Sequence, residues 1–410
     1  NGYMWIGTYA SGVNYTNTDN DLFTYIPSTH NQTTLSSPIV GDMTEDNEGN
    51  IWICTSGGGL NMFNPINNKV TRLNTDILNS SFISNLKTIY FNKDKNTLYI
   101  GSHGEGLISY DLFSKEFKQE SRGILPLDPM NIITKITPID ENLYLSTPKS
   151  IFRYNVKNGI NSFFLDLNSS DFSTCVSNTN NGNLVYSYKD SIYLYDVKNR
   201  LVKERYGLNN YGLHNGVVRV YQSGDGSLFL CTSGNGVMKL NKKESKFENF
   251  PKSYMSNLSD FSYRIVETND GKLISTGNKG VSVFSKNGEL IRFFKLGKMI
   301  PLSSITSDCG LYVSKNGKIY IGGTNGLAFL NESDIVSDKR NDKLYFSDLY
   351  LNGRRIESSL LPISLPFAKR IDLPYNHNRI EFYFSSKENI LNMDNSIYEY
   401  RLSGFEKNWI

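Results

Sequence analysis

One unit recurs through most of the chain: a turn, an apolar strand, a glycine-rich turn, then a small residue and an aliphatic one that open a second strand. The first strand reads Met4-Trp5-Ile6-Gly7-Thr8, Ile51-Trp52-Ile53-Cys54-Thr55, Leu98-Tyr99-Ile100-Gly101-Ser102 and Leu143-Tyr144-Leu145-Ser146-Thr147 in the first copies. It continues as Leu184-Val185-Tyr186, Leu228-Phe229-Leu230-Cys231-Thr232, Leu273-Ile274-Ser275 and Ile319-Tyr320-Ile321-Gly322-Gly323. Between the anchors Trp5, Trp52, Tyr99, Tyr144, Val185, Phe229, Ile274 and Tyr320 the steps are 47, 47, 45, 41, 44, 45 and 46 residues. The linked pairs are Gly12-Val13, Gly59-Leu60, Gly106-Leu107, Ser150-Ile151, Ser191-Ile192, Gly236-Val237, Gly280-Val281 and Gly326-Leu327. A period of roughly 40–50 residues with four strand-like segments per unit is that of a β-propeller blade.

Each blade reads as strands A to D, outward from the axis. Strand A precedes a turn rich in Asn, Asp and Gly, B carries the anchor, C follows the small–aliphatic pair, and D is the edge. The first copy has B, C and D segments but no A, and the last has A, B and C but no D before residue 342. An open edge would leave backbone groups unpaired. The simplest closure lends Leu22–Ile26 to the last blade. The chain is therefore expected to be all-β, with a seven-bladed propeller over residues 30–341; an eight-bladed ring is the alternative. Residues 1–29 would hold a remnant of a preceding blade plus the closing strand. From residue 342 to 410 the period is lost. There Leu344–Tyr350, Arg379–Phe384 and Ile397–Leu402 alternate like strands between Pro-containing turns, as at the start of an Ig-like β-sandwich. Both ends fall inside a pattern, as expected of a piece of a longer protein.

Composition agrees with short strands and tight turns: 26 Tyr, 23 Phe, 33 Gly and 48 Asn. With 43 Lys+Arg against 40 Asp+Glu the net charge is +3, which gives no reason to expect a nucleic-acid partner. The Cys residues, at 54, 175, 231 and 309, show no metal-binding spacing and read as small buried apolar groups.

Trp5-Ile6-Gly7-Thr8-Tyr9 with Gly12-Val13-Asn14-Tyr15, and Asn47-Glu48-Gly49-Asn50-Ile51-Trp52 with Gly57-Gly58-Gly59-Leu60-Asn61, resemble the two-component regulator propeller repeat. Leu349-Tyr350-Leu351-Asn352-Gly353, followed by Ile397-Tyr398-Glu399-Tyr400-Arg401-Leu402-Ser403-Gly404-Phe405, resembles the three-tyrosine domain that follows such propellers. The resemblance implies the periplasmic sensor region of a hybrid two-component histidine kinase that controls polysaccharide utilisation. It further implies an oligosaccharide ligand, a preceding propeller in the same chain, and a homodimer formed through the sandwich domain. Contact with the membrane would come only through a downstream segment. The chain departs from the repeat where Ser150-Ile151 and Ser191-Ile192 replace the glycine pairs and Thr147-Pro148 replaces the glycine-rich turn.

No phosphate-binding glycine motif or zinc signature is present, and no cofactor or metal is expected. The recurrent acids Asp46, Asp225 and Asp270 lie in A–B turns, where turn geometry accounts for them. Binding is easier to argue than catalysis. The B–C and D–A loops of a propeller meet on one face. The B–C loops offer Tyr9, His103, Glu105, Lys149, Lys189, Asn235, Lys279 and Asn325, and the D–A loops offer Arg122, Tyr211, His214 and Tyr263. Arg219 and Arg264 lie just below, on strand A. Aromatic faces stack on sugar rings, amides and charges take hydroxyls, and the cations point to an acidic sugar. Two other functions fit a propeller: a protein-interaction scaffold, or a glycosidase or polysaccharide lyase.

Overall fold

The computed structural model describes residues 3–9, 12–17, 22–73, 85–121, 129–166, 176–208, 216–251, 259–335, 344–356, 364–368, 370–373, 379–386 and 400–405. The chain divides into two compact units, Asn1–Val336 and Ser337–Ile410.

In the first unit, seven four-stranded antiparallel sheets follow one another, each with its strands in A-B-C-D order. Their A strands are Val40–Glu45, Leu86–Asn92, Lys135–Ile139, Val176–Asn178, Val217–Gln222, Ser262–Glu267 and Leu311–Val313, in blades 1 to 7. Each A strand touches that of the next blade, and Leu311–Val313 touches Val40–Glu45, so the inner strands form a closed ring of seven. Both faces of every blade are covered by neighbours, which explains the central strands. Ile51–Thr55, Leu228–Thr232 and Leu273–Gly277 are buried along their whole length and lose the polar alternation of a one-sided sheet. The outer strand Leu201–Gly207 is almost wholly exposed.

The A–B turns work through their acids. The Asp46 carboxylate accepts from the backbone N–H of Glu48 and Asn50, both at 2.9 Å, and from Trp52 Nε1 at 2.8 Å. It thereby ties the turn to the anchor of the following strand. Gly49, at φ +83°, supplies the left-handed residue that the turn requires.

Closure uses the segment before blade 1. Thr24–Pro27 is the outer strand of blade 7, antiparallel to Gly326–Asn331, with Ile26 opposite Leu327. Tyr25 Oη donates to the Asn325 carbonyl at 2.6 Å, and Asn325 Nδ2 donates to Tyr25 Oη at 3.1 Å. Arg72 then pins the link into blade 1 by donating to the carbonyls of Thr29, Asn31, Thr34 and Leu35. Ile26, Leu327, Tyr320 and Phe329 of blade 7 share one core with Val40, Ile53 and Phe63 of blade 1. Upstream, Tyr3–Gly7 and Val13–Asn17 form a separate two-stranded hairpin, with Met4, Trp5, Ile6 and Val13 exposed.

The described strands of the second unit form one antiparallel sheet, with Leu344–Leu351 between Arg354–Arg355 and Ile380–Ser386, and a short 3-10 turn at Leu365–Phe367 packs against it. The facing sheet of a sandwich is not among the described residues. Tyr400–Leu402, expected to end a strand, is not in one, and 397–399 lie outside the described residues. Cys54, Cys231 and Cys309 are buried; Cys175 lies outside the described residues.

If the ring is held by the strand at Thr24–Pro27, Ile26→Ala loses buried surface at the closure. It should cost about 2–5 kcal/mol in urea unfolding. Val202→Ala on the exposed outer strand of blade 4 should cost less than about 0.5 kcal/mol.

Candidate ligand site at the ring axis

Strand A begins and strand B ends at the same face of the ring, so the D–A and B–C loops meet there. They also interlock. Ser56 bridges to Asn85, His103 to Ile132 and Ser233 to Phe261, in each case from a B–C loop to the segment shortly before the next blade's inner strand. The Asn131 carbonyl accepts from the N–H of Gly104 and Gly106, and the Asp260 carbonyl from those of Gly234 and Gly236. Each of these loops is therefore held by the neighbouring blade as well as its own.

Just inside this face the register brings charged groups together. Asp42, Thr88, Lys135, Arg219 and Arg264 each stand two residues before the inner-strand partner of their blade's anchor. Those partner pairs are Thr44 with Trp52, Tyr90 with Tyr99, Thr137 with Tyr144, Tyr221 with Phe229 and Val266 with Ile274. Four of these strands carry an extra residue beside the position: between Val40 and Met43, Leu86 and Thr88, Val217 and Arg219, and Ser262 and Arg264. A bulge of this kind re-aims the adjacent side chain. In blade 7 the position is Gly310, where a Cβ would lie 2.1 Å from the Gly41 carbonyl oxygen. Only a residue without a side chain lets blades 7 and 1 approach so closely.

The result is an ionic cluster spanning the axis. Buried Asp42 accepts from Arg264 Nη1 at 2.9 Å through Oδ1, and from Lys135 Nζ at 3.2 Å and Thr88 Oγ1 at 2.9 Å through Oδ2. It thus links blades 1, 2, 3 and 6. Burial alone would push the Asp42 carboxyl up. Lys135, Arg264 and Arg219, with the Thr88 hydroxyl, outweigh it and hold the carboxyl well below the usual carboxylate range. Burial pulls Lys135 down, and the neighbouring arginines add to that. Nearby, Lys87 pairs with Asp308 at 3.2 Å. A second feature of the same face is a cavity of about 130 Å³ between blades 5 and 6, bordered by Asn235, Asn249, Phe250, Ser259 and Asp260.

The other expected rim residues divide by what they already do. Glu105, expected as a rim contact, is buried. Its carboxylate accepts from Gln119 Nε2 at 3.2 Å, so it serves the blade edge. Asn325 is engaged by Tyr25, Pro301 and Ser303 in the closure. Tyr9 is fully exposed in the connection of the upstream hairpin, outside the seven blades. His103, Lys149 and Lys189 are exposed, with the Lys189 ammonium over the Tyr188 ring. Asn235 borders the cavity, and Lys279 pairs with Asp260 at 3.6 Å. Tyr263 is half-buried, and burial raises its hydroxyl pKa. Arg219 and Arg264 join the axial cluster. Arg122, Tyr211 and His214 lie outside the described residues. Sequence reasoning missed Asp42, Thr88 and Lys135, although the signal was there: Asp42, Arg219 and Arg264 all fall ten residues before their anchors. Among the described residues no group of three or more His, Cys, Asp or Glu gathers as for a metal, and no helix is long and apolar enough to cross a membrane.

Residues 34–57 match the two component regulator propeller family. Histidine kinase P4 of Formosa agariphila is 21% identical over 99% of this chain, and the chain spans 27% of that protein. Among solved structures, the extracellular domain assigned to a hybrid two component system of B. thetaiotaomicron superposes with a TM-score of 0.68 at 18% identity. That match covers 100% of this chain and 54% of the other. A streptogramin B lyase superposes with a TM-score of 0.58 at 10% identity, covering 75% of this chain and 97% of the lyase. These structural likenesses establish the propeller fold, which serves sensors and enzymes alike.

Removing the Asp42 charge leaves three cations facing one another. Asp42→Asn should therefore cost about 3–5 kcal/mol at neutral pH. Asp308→Asn, at an exposed pair, should cost less than about 1 kcal/mol. Because the folded-state pKa of Asp42 is lowered, its contribution is present above the unfolded aspartate value of about 3.9 and is lost as pH falls through the folded value. Acid unfolding curves should show a component below about pH 4 that Asp42→Asn lacks.

Proposed function

We propose that this chain is part of the ligand-sensing extracytoplasmic region of a hybrid two-component histidine kinase. It binds an oligosaccharide at the loop face of the ring and signals across the membrane to polysaccharide-utilisation genes. The observation that carries this reading is the loop face itself. Interlocked loops surround a charged, multi-blade cluster, in a chain whose blade at 34–57 matches the regulator propeller family. The likeness to an extracellular domain assigned to a hybrid two component system supports the extracytoplasmic location.

The geometry suits sensing more than turnover. The hydrogen-bonded polar groups at the axis come from four blades, so a ligand touching them alters contacts between blades rather than within one. Such a ligand can shift the signalling equilibrium only by the difference in its affinity for the two states. The exposed hairpin at Tyr3–Gly7 and Val13–Asn17 fits the middle strands, B and C, of a blade in a preceding propeller. The second unit would carry the dimer contact.

Calorimetric titration of the chain with a panel of neutral and acidic plant and algal oligosaccharides tests this. Saturable binding of one class, without release of shorter products, is expected. Failure of every saccharide to bind would overturn the reading, and release of cleaved product would favour a propeller glycosidase or lyase.

A further inference from the structure

Charge does not balance at the axial mouth. Lys87, Lys135, Arg219 and Arg264 share two carboxylates, Asp42 and Asp308, among the described residues there. Both oxygens of Asp42 are engaged, by Arg264 on one side and by Lys135 and Thr88 on the other. Asp308 is held by Lys87. Nothing is left for Arg219. It stands at the same ring position as Asp42, Lys135 and Arg264, yet no hydrogen bond or ion pair joins it to a described residue, and its buried Nε has no partner. The residue as a whole is half-buried, so part of it remains open to solvent. Its charge is felt nonetheless: it lowers the pKa of both Lys135 and Arg264.

A cation held partly out of water beside two others is unfavourable unless an anion joins it. The planar guanidinium fork fits the paired oxygens of a carboxylate or a sulfate. Lys135 keeps 30% of its side chain exposed and can donate from blade 3, two blades away around the ring. We infer that the axial mouth is an oxyanion subsite, in which Arg219, with Lys135 beside it, takes a carboxylate or sulfate group of an acidic oligosaccharide. This rests on the saccharide-sensing reading only for the nature of the carrier; the subsite itself rests on the uncompensated charge.

The test titrates the 410-residue chain with sodium sulfate, a galacturonate tetramer, a sulfated galactan tetramer and a neutral galactan tetramer. Wild type, Arg219→Gln and Arg219→Lys are compared. An acidic tetramer should bind, more weakly as salt rises, and the neutral one should bind at least about tenfold less tightly. Arg219→Gln should weaken the acidic tetramer by about tenfold or more, and Arg219→Lys by less. The two acidic tetramers separate carboxylate from sulfate. Arg219 has no hydrogen-bond or ion-pair partner to lose among the described residues, and its attraction to Asp42 is opposed by its repulsion of Lys135 and Arg264, so Arg219→Gln should melt close to wild type; should it not fold, Arg219→Lys, which keeps the charge but not the fork, answers the same question. Equal binding of neutral and acidic tetramers, or unchanged acidic affinity in Arg219→Gln, overturns the subsite and leaves the sensor reading standing. Sulfate bound by wild type but not by Arg219→Gln, with no tetramer bound, keeps the subsite and overturns the saccharide reading. Binding of none of the four overturns both.

Discussion

Everything in the first unit depends on one set of backbone hydrogen bonds, those between Thr24–Pro27 and Gly326–Asn331. A blade with an unpaired outer strand would expose a row of N–H and C=O groups and an apolar face. Supplying that strand from the segment before blade 1 makes the ring close through chain connectivity as well as through packing. The closure then fixes where the other inner strands stand, and so fixes the ring position at which Asp42, Lys135, Arg219 and Arg264 meet. The polar cluster is a product of closure, since Asp42 of blade 1 reaches Arg264 of blade 6 only if blade 7 lies between them in a complete circle.

The blade count was legible because the repeat is written twice in each unit, in the buried B strand and in the small–aliphatic pair. Both are forced by burial on two faces, which tolerates little variation. The missing strands at the two ends then favoured seven over the alternative of eight, and the seven four-stranded sheets decide it. The inner-strand layer was less legible. Asp42, Arg219 and Arg264 stand ten residues before their anchors, but Thr88 stands eleven and Lys135 nine, because the A–B turns differ in length. An offset that drifts by one residue hides a common ring position. The bulges hide it again by breaking strand alternation at that point.

The loop residues taught a different lesson. Sequence located Glu105 and Asn325 in B–C loops, but it could not reveal that their polar atoms are consumed locally by Gln119 and by Tyr25, Pro301 and Ser303. A loop amide or acid is free for a ligand only when the backbone around it needs nothing from it. Arg219 and Arg264 illustrate the other side of that rule. Both were visible as strand cations, but their different fates, one paired and one not, depend on a carboxylate from a blade hundreds of residues away in sequence.

The closing strand also has a mechanical side. Thr24 lies opposite Phe329, and Pro27 lies opposite Gly326. The chain upstream of Thr24 and the chain downstream of Asn331 therefore leave blade 7 from the same end of that pair. Tension transmitted along the polypeptide loads the bonds one after another, as in unzipping, instead of sharing the load across all of them in shear. A pull on the two flanking segments would peel the outer strand of blade 7 long before it disturbed the buried anchors of the other blades. The seam is the ring's weakest link under load, even though at rest it completes the fold.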